Sequence, residues 1–210
     1  MIYETEPAPV VTGLLCVGRN ALRVALSLDP TRDSIEDIAA AGTKAVIFPL
    51  WRGFETTCRA FVDASAERET AAILCLDRRS FTEAEWRGHR YLPGLRYWAK
   101  RFPDVSCWLV GNEPDQEGES SSPMTRRNFQ RLCRNARSVW PEAYLIAGAL
   151  ARVAVSYVDG LEGIVNACAV SIYCQRPADG FPAPDSGFAN LCDLLAMFPE
   201  GMPMVVKVGR

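Results

Sequence analysis

The sequence predicts an α/β fold, a (β/α) TIM-type barrel of about seven β/α units, incomplete or atypical beside the usual eight. Three observations carry this expectation. Strand-like apolar runs alternate with amphipathic stretches along the whole chain. The runs are apolar throughout rather than alternating, as in parallel strands covered on both faces. No glycine-rich phosphate loop follows the first strand, which argues against an open dinucleotide-binding sheet. Composition does not change along the 210 residues, so residues 1–210 are expected to form a single domain.

Each element has its own signal. "ALRVALSL" reads as the first strand. "DSIEDIAAAG" follows as a short helix, with Asp33 or Ser34 as N-cap and Gly42 as its stop. "TKAVIFPLW" is the second strand, Cys58 to Glu69 a helix, and "AAILCLD" the third strand. A long helix then opens at Thr82, where Glu85 three residues on completes a capping box. "VSCWLVGNEPD" is the fourth strand. Ser122-Pro123 begins a helix running to about Trp140, with proline at the favoured first position. "AYLIAGAL" is the fifth strand, a short helix spans Tyr157 to Asn166, and "CAVSIYCQ" is the sixth strand. "FANLCDLLAMF" is a helix and "MPMVVKVGR" the seventh strand; only "VVTGLLCVG" near the N-terminus offers an eighth.

Composition narrows the function. The chain is 49 % hydrophobic and 23 % charged, with a net charge of −2. That balance points to neither a nucleic-acid partner nor an anionic membrane. The arginine series 126, 127, 131, 134 and 137 suits the wet side of a helix. No apolar run is long enough to span a bilayer. "MIYETEPAPV" lacks the basic start and apolar stretch of a signal peptide, so the expected location is cytoplasmic. Of eight cysteines, Cys75, Cys107 and Cys168 lie in apolar strand-like runs, and no CxxC occurs. They read as buried free thiols in a reducing compartment. One histidine, His89, in a polar helix-like stretch, does not make a zinc site. No metal and no cofactor is expected, and the sequence leaves the oligomeric state open.

In a parallel barrel the C-terminal strand ends face the site. Those ends supply Asp29, Trp51, Arg52, Asp77, Asn112, Glu113, Tyr173, Gln175 and Lys207. Aromatic faces with amides and carboxylates are the mix that binds sugars. Several members also have plain structural roles. Asp29 before Pro30 suits a turn, Asp77 beside two arginines suits an ion pair, and Trp51 and Tyr173 suit rim packing. Asn112-Glu113-Pro114 is more specific. An apolar run sets the glutamate against a dry wall, which raises its pKa. Pro114 ends the strand and restricts Glu113 before it.

With "CWLVGNEP" in view, the sequence resembles the clan-A glycoside hydrolases, retaining (β/α)8 glycosidases that include cellulases, mannanases and β-galactosidases. Their fourth strand ends in Asn-Glu, often Asn-Glu-Pro. The resemblance implies that Glu113 is the general acid/base and that Asn112 bonds the sugar 2-hydroxyl. "SIYCQ" puts Tyr173 where a site tyrosine commonly ends the sixth strand, and Trp51, Arg52, Asp77 and Gln175 complete a substrate-binding set. "MVVKVGR" matches the frame of the seventh strand but has Lys207 at the nucleophile position, and the last barrel unit is missing. Retaining hydrolysis uses two carboxyl groups about 5–5.5 Å apart, and a lysine cannot form the glycosyl ester.

Three functions therefore stand open. One is a glycoside hydrolase acting on a β-linked oligo- or polysaccharide. Another is a carbohydrate-binding or scaffold pseudoenzyme, with an ion pair between Glu113 and Lys207. In that pair Lys207 is expected to lower the Glu113 pKa and keep it ionised. The third is an amine nucleophile at Lys207.

Overall fold

Seven of the apolar runs become parallel strands. A computed structural model of the chain describes residues 22–28, 33–36, 44–115, 124–150, 155–173 and 202–209. The strands are β1 (Leu22–Ser27), β2 (Ala45–Pro49), β3 (Ala71–Leu76), β4 (Cys107–Val110), β5 (Tyr144–Leu150), β6 (Ala167–Tyr173) and β7 (Met204–Gly209). They pair in sequence order and close into a barrel. The closing seam is a parallel ladder from Leu22↔Met204 to Leu26↔Val208. The (β/α) barrel expected from the sequence is present, and its sheet closes with seven strands. The candidate eighth strand, "VVTGLLCVG", lies outside the described residues, as does the "FANLCDLLAMF" helix.

Alternate residues of each strand face opposite ways, and this parity builds two cores. Twelve buried residues line the inside, five of them alanines: Ala25, Ala45, Ala149, Ala167 and Ala169. A barrel's diameter grows with strand number, so a seven-stranded bore suits small side chains. The other parity packs outward under the helices, with Val46, Phe48, Leu74, Trp108, Val110, Leu145 and Val206 in one large cluster.

The helices are α1 (Glu55–Glu67), α2 (Glu83–Arg87), α3 (Tyr91–Arg101) and α4 (Arg126–Val139). The Thr82–Glu85 capping box is present. The single long helix expected after it is two helices instead. Gly88 caps α2, and His89 adopts a left-handed φ of 51°. His89 is held in that turn by Tyr91 Oη at 3.1 Å and Asn128 Nδ2 at 3.0 Å. Pro93 sits in the first turn of α3, where its missing N–H costs nothing. The next helix starts three residues later than Ser122-Pro123 suggests. Thr125 is its N-cap, accepting from Asn128 N–H at 3.3 Å. A hydroxyl cap satisfies a free N–H, which proline at the first position does not. α1 starts at Glu55, ahead of the expected Cys58. Between Tyr157 and Asn166 no α-helix forms; a 3-10 turn at Val155–Tyr157 leads into turns and an isolated bridge. Of the Asp33–Gly42 stretch, residues 35 and 36 are helical and 37–42 lie outside the described residues.

The arginines of α4 divide. Arg127, Arg131 and Arg134 are exposed as expected. Arg137 instead donates to the carbonyls of Trp140, Pro141, Ala143 and Ile164 and to Asn166 Oδ1, clamping the loops around β5. Cys58, Cys75, Cys107, Cys133 and Cys168 are free thiols and buried. Among the described residues no helix is long and apolar enough to cross a membrane.

In the outer core Trp108 stacks on Trp140, ring centroids 4.1 Å apart. Trp108 is fully buried and its Nε1 donates to Val105 O at 3.1 Å. Trp108→Ala is expected to lower unfolding free energy by about 3–5 kcal/mol, read from chemical denaturation.

Candidate functional site

The strand ends of β3, β4, β6 and β7 converge on one mouth because the sheet is closed. At β4 the chain leaves the ladder through Gly111, whose φ is 90°. A Cβ there would come within 2.8 Å of Phe129 Cε2, so glycine is required twice over. Two residues on, Glu113 has a φ of 49°. That is not the restriction expected of a residue before proline, which disfavours helical φ of either hand. The conformation is maintained by neighbours: Glu113 N–H donates to Ala149 O at 3.2 Å and Gly111 N–H to Leu76 O at 2.9 Å.

Ala149 can receive that bond because β5 is irregular there. The β5–β6 register shifts between Ala147 and Leu150, and Gly148 has a φ of 74°. The same Ala149 carbonyl accepts from Ser171 Oγ at 3.2 Å. Ser171 is the register partner of Lys207, and both share the inward parity of Ala169 and Val205. Lys207 Nζ donates to Asn112 Oδ1 at 2.6 Å. Asn112, Glu113, Ser171 and Lys207 thus form one polar cluster above an apolar floor.

Glu113 is 1 % exposed and its Oε1 has no hydrogen-bond partner. Burial pushes its pKa up; the Lys207 charge and hydrogen bonding with Ser171 pull it down, and burial prevails. Lys207 pulls the pKa down as expected, but the expected net lowering is corrected: burial outweighs it. The expected salt bridge is also absent among the described residues, where Lys207 bonds the Asn112 amide instead. A dry site makes removal of water from the carboxylate more costly than a nearby, unpaired ammonium returns.

A second cluster stands at the ends of β2 and β3. Trp51 Nε1 donates to Asp77 Oδ2 at 2.9 Å, and Arg79 N–H to Asp77 Oδ1 at 2.7 Å. Ser80 Oγ accepts from Asp77 N–H at 2.9 Å, completing a cap on the 3-10 turn Arg78–Ser80. Burial raises the Asp77 pKa against the lowering by these bonds. The Arg79 guanidinium lies 4.3 Å over the Trp51 ring. Asp77 therefore orients Trp51 on the rim. Arg52 faces the helices: it bonds Glu85 Oε2 at 3.1 Å and lies 3.8 Å over Tyr97. The backbone of Tyr173 ends β6, while its side chain, Gln175 and Asp29 lie outside the described residues. Sequence reasoning missed Ser171, although its two-residue spacing from Tyr173 in "SIY" was the signal for the same face.

No family model matches the chain, and no curated protein matches it. Solved structures do. A GH30 endoxylanase from Clostridium papyrosolvens C71 superposes with a TM-score of 0.52 at 8 % identity, covering 89 % of this chain and 64 % of the enzyme. A β-mannanase from the blue mussel Mytilus edulis superposes at 0.50 with 11 % identity, covering 83 % of this chain and 78 % of the mannanase. The chain is similar in fold to glycoside hydrolase barrels. It spans about two thirds of the endoxylanase's length.

The raised Glu113 pKa has a signed consequence. The folded protein holds that proton more tightly than the unfolded chain. Its stabilising contribution is complete below the unfolded pKa and is lost as pH rises through the folded pKa. Glu113→Gln removes this loss. The variant is expected to match the wild-type melting temperature near pH 4 and exceed it at about pH 8. Asp77, raised in the same direction, contributes a slope of the same sign in both proteins. Thermal melts across that range check it.

Proposed function

We propose that the barrel mouth is a carbohydrate site for a β-linked oligo- or polysaccharide, centred on Asn112 and Glu113, and that the chain binds its glycan without retaining hydrolysis. The observation that carries this reading is Lys207. It shares the inward parity of β7 and bonds Asn112, so the group that strand presents to the mouth is an amine. Double displacement needs a carboxylate there, about 5–5.5 Å from the acid. Likeness of fold to an endoxylanase and a β-mannanase supports the ligand class. Trp51, held by Asp77, supplies an aromatic face on the rim, with Tyr173 and Gln175 as further binding groups, while Arg52 is engaged by Glu85 and Tyr97 away from it. Glu113 with its unpartnered Oε1 gives a hydroxyl an acceptor or, protonated, an acid.

A second reading keeps Glu113 as the general acid of an active hydrolase, favoured by its raised pKa. The two are separated by one set of measurements. Calorimetry with xylo- and manno-oligosaccharides is expected to show binding that Glu113→Gln weakens by about tenfold, the worth of one hydrogen bond to a buried group. Release of the aryl alcohol from activated aryl β-glycosides is expected to be absent in the wild type and to emerge in Lys207→Glu. Turnover by the unmodified chain establishes the hydrolase reading instead.

A further inference from the structure

The chain has twenty arginines and three lysines, Lys44, Lys100 and Lys207. Lys44 and Lys100 are exposed; Lys207 is 8 % exposed and points into the barrel. A chain that takes its positive charge almost wholly from guanidinium thus places an amine at the most enclosed cationic position among the described residues. The difference is chemical. Arginine stays protonated and is no nucleophile, whereas lysine can lose its proton and attack carbonyl carbon.

The surroundings fit that chemistry. Lys207 Nζ is aimed by one hydrogen bond, to Asn112 Oδ1 at 2.6 Å. An amide oxygen accepts a hydrogen bond from the lysine nitrogen without removing its proton and without occupying the lone pair of the neutral amine. Glu113 lies in the same mouth, buried, with Oε1 unpartnered and no ion pair to the amine. Ser171 stands beside Lys207 in the ladder, and its hydroxyl donates to the Ala149 carbonyl that also accepts from Glu113 N–H. Below them the floor is apolar: Cys75, Ala169 and Val205.

We propose that Lys207 is an amine nucleophile that forms a Schiff base with a small aldehyde, such as an open-chain aldose, and that Glu113 is the acid acting on the carbonyl oxygen. Proton transfer from the Lys207 ammonium to the Glu113 carboxylate leaves a neutral amine and a neutral acid. The nitrogen lone pair then forms the C–N bond while the carbonyl π pair moves to oxygen. Glu113 gives that oxygen a proton and regains one from nitrogen, yielding the carbinolamine. A second protonation by Glu113 lets the C–O bond break and water leave. The nitrogen lone pair closes the C=N bond, so the products are a protonated imine, water and the Glu113 carboxylate. Nothing is oxidised or reduced. The inference goes beyond the carbohydrate reading, because it needs the mouth but no glycosidic bond.

The test is incubation of the intact chain with glyceraldehyde and cyanoborohydride, which reduces the imine to a stable amine, followed by peptide mapping. The three lysines make each molecule its own control. The reduced adduct is expected on Lys207 ahead of exposed Lys44 and Lys100. In Glu113→Gln its formation at Lys207 is expected to slow by about a hundredfold, the range for loss of a general acid, with labelling of Lys44 and Lys100 unchanged. Equal labelling of all three lysines, or labelling of Lys44 and Lys100 alone, overturns the proposal. Undiminished labelling in a Glu113→Gln variant with wild-type circular dichroism overturns the role given to Glu113. If that variant does not fold, the site preference in the wild type decides. Glyceraldehyde has no glycosidic bond, so this result and oligosaccharide binding can fail independently.

Discussion

Closure of the sheet between β1 and β7 is the constraint on which the rest depends. Five register pairs, Leu22↔Met204 to Leu26↔Val208, convert a curved parallel sheet into a barrel without exposed edges. Closure fixes what each inward position meets. It makes the bore narrow, and the interior answers with alanine at five of its twelve buried positions. It also sets β7 between β1 and β6, so that Lys207 lies beside Ala25 on one flank and Ser171 on the other. Ala25 offers the amine no polar partner and the Ser171 hydroxyl donates to Ala149 O, while the amine bonds Asn112 across the mouth.

The mouth is held by backbone as much as by side chains. Gly111, Glu113 and Gly148 all have positive φ, and of these only Glu113 carries a Cβ. A non-glycine residue in that region costs about 1–3 kcal/mol and persists when its surroundings enforce it. Here the enforcement is specific: the Ala149 carbonyl, turned by the β5 irregularity, accepts from Glu113 N–H and Ser171 Oγ together. Strain, a buried carboxyl and an unpartnered oxygen coincide on one residue, whereas the neighbouring buried Asp77 has both oxygens occupied and unstrained backbone. The two carboxyls come from the same residue class and differ in what they are built to do.

The sequence made the strands legible because a strand buried on both faces is an uninterrupted apolar run; six lie within their expected stretches, and β6 begins one residue ahead of its own, at Ala167. Helix ends were less legible because they depend on caps and on contacts from elsewhere. Gly88 and Pro93 marked the break between α2 and α3, but the left-handed turn at His89 depends on Asn128 from a different helix. At the site, the Asn112-Glu113 motif was readable as a local pattern. The Asn112–Lys207 bond was not, since it joins residues 95 apart and requires the register of closure. Arg137 looked like its neighbours on a basic face, and only the positions of four carbonyls beyond the helix distinguish it.

The sign of charge at the β7 position decides which reactions the mouth can favour. Glycoside cleavage passes through an oxocarbenium-like state, with positive charge growing on carbon. A carboxylate beneath that carbon stabilises it, and an ammonium at Lys207 opposes it. Replacing carboxylate by amine therefore removes the covalent partner and also reverses the field, while Asn112 and Glu113 keep their places. Addition of an amine to a carbonyl has the opposite demand. Negative charge grows on oxygen, and an acid that retains its proton in a dry site is suited to meet it. Burial of Glu113 outweighs the pull of Lys207 and raises its pKa, which makes it a better acceptor of the amine's proton and a donor to that oxygen. One buried carboxyl beside one amine is thus poorly matched to cleaving an acetal and well matched to condensing with an aldehyde.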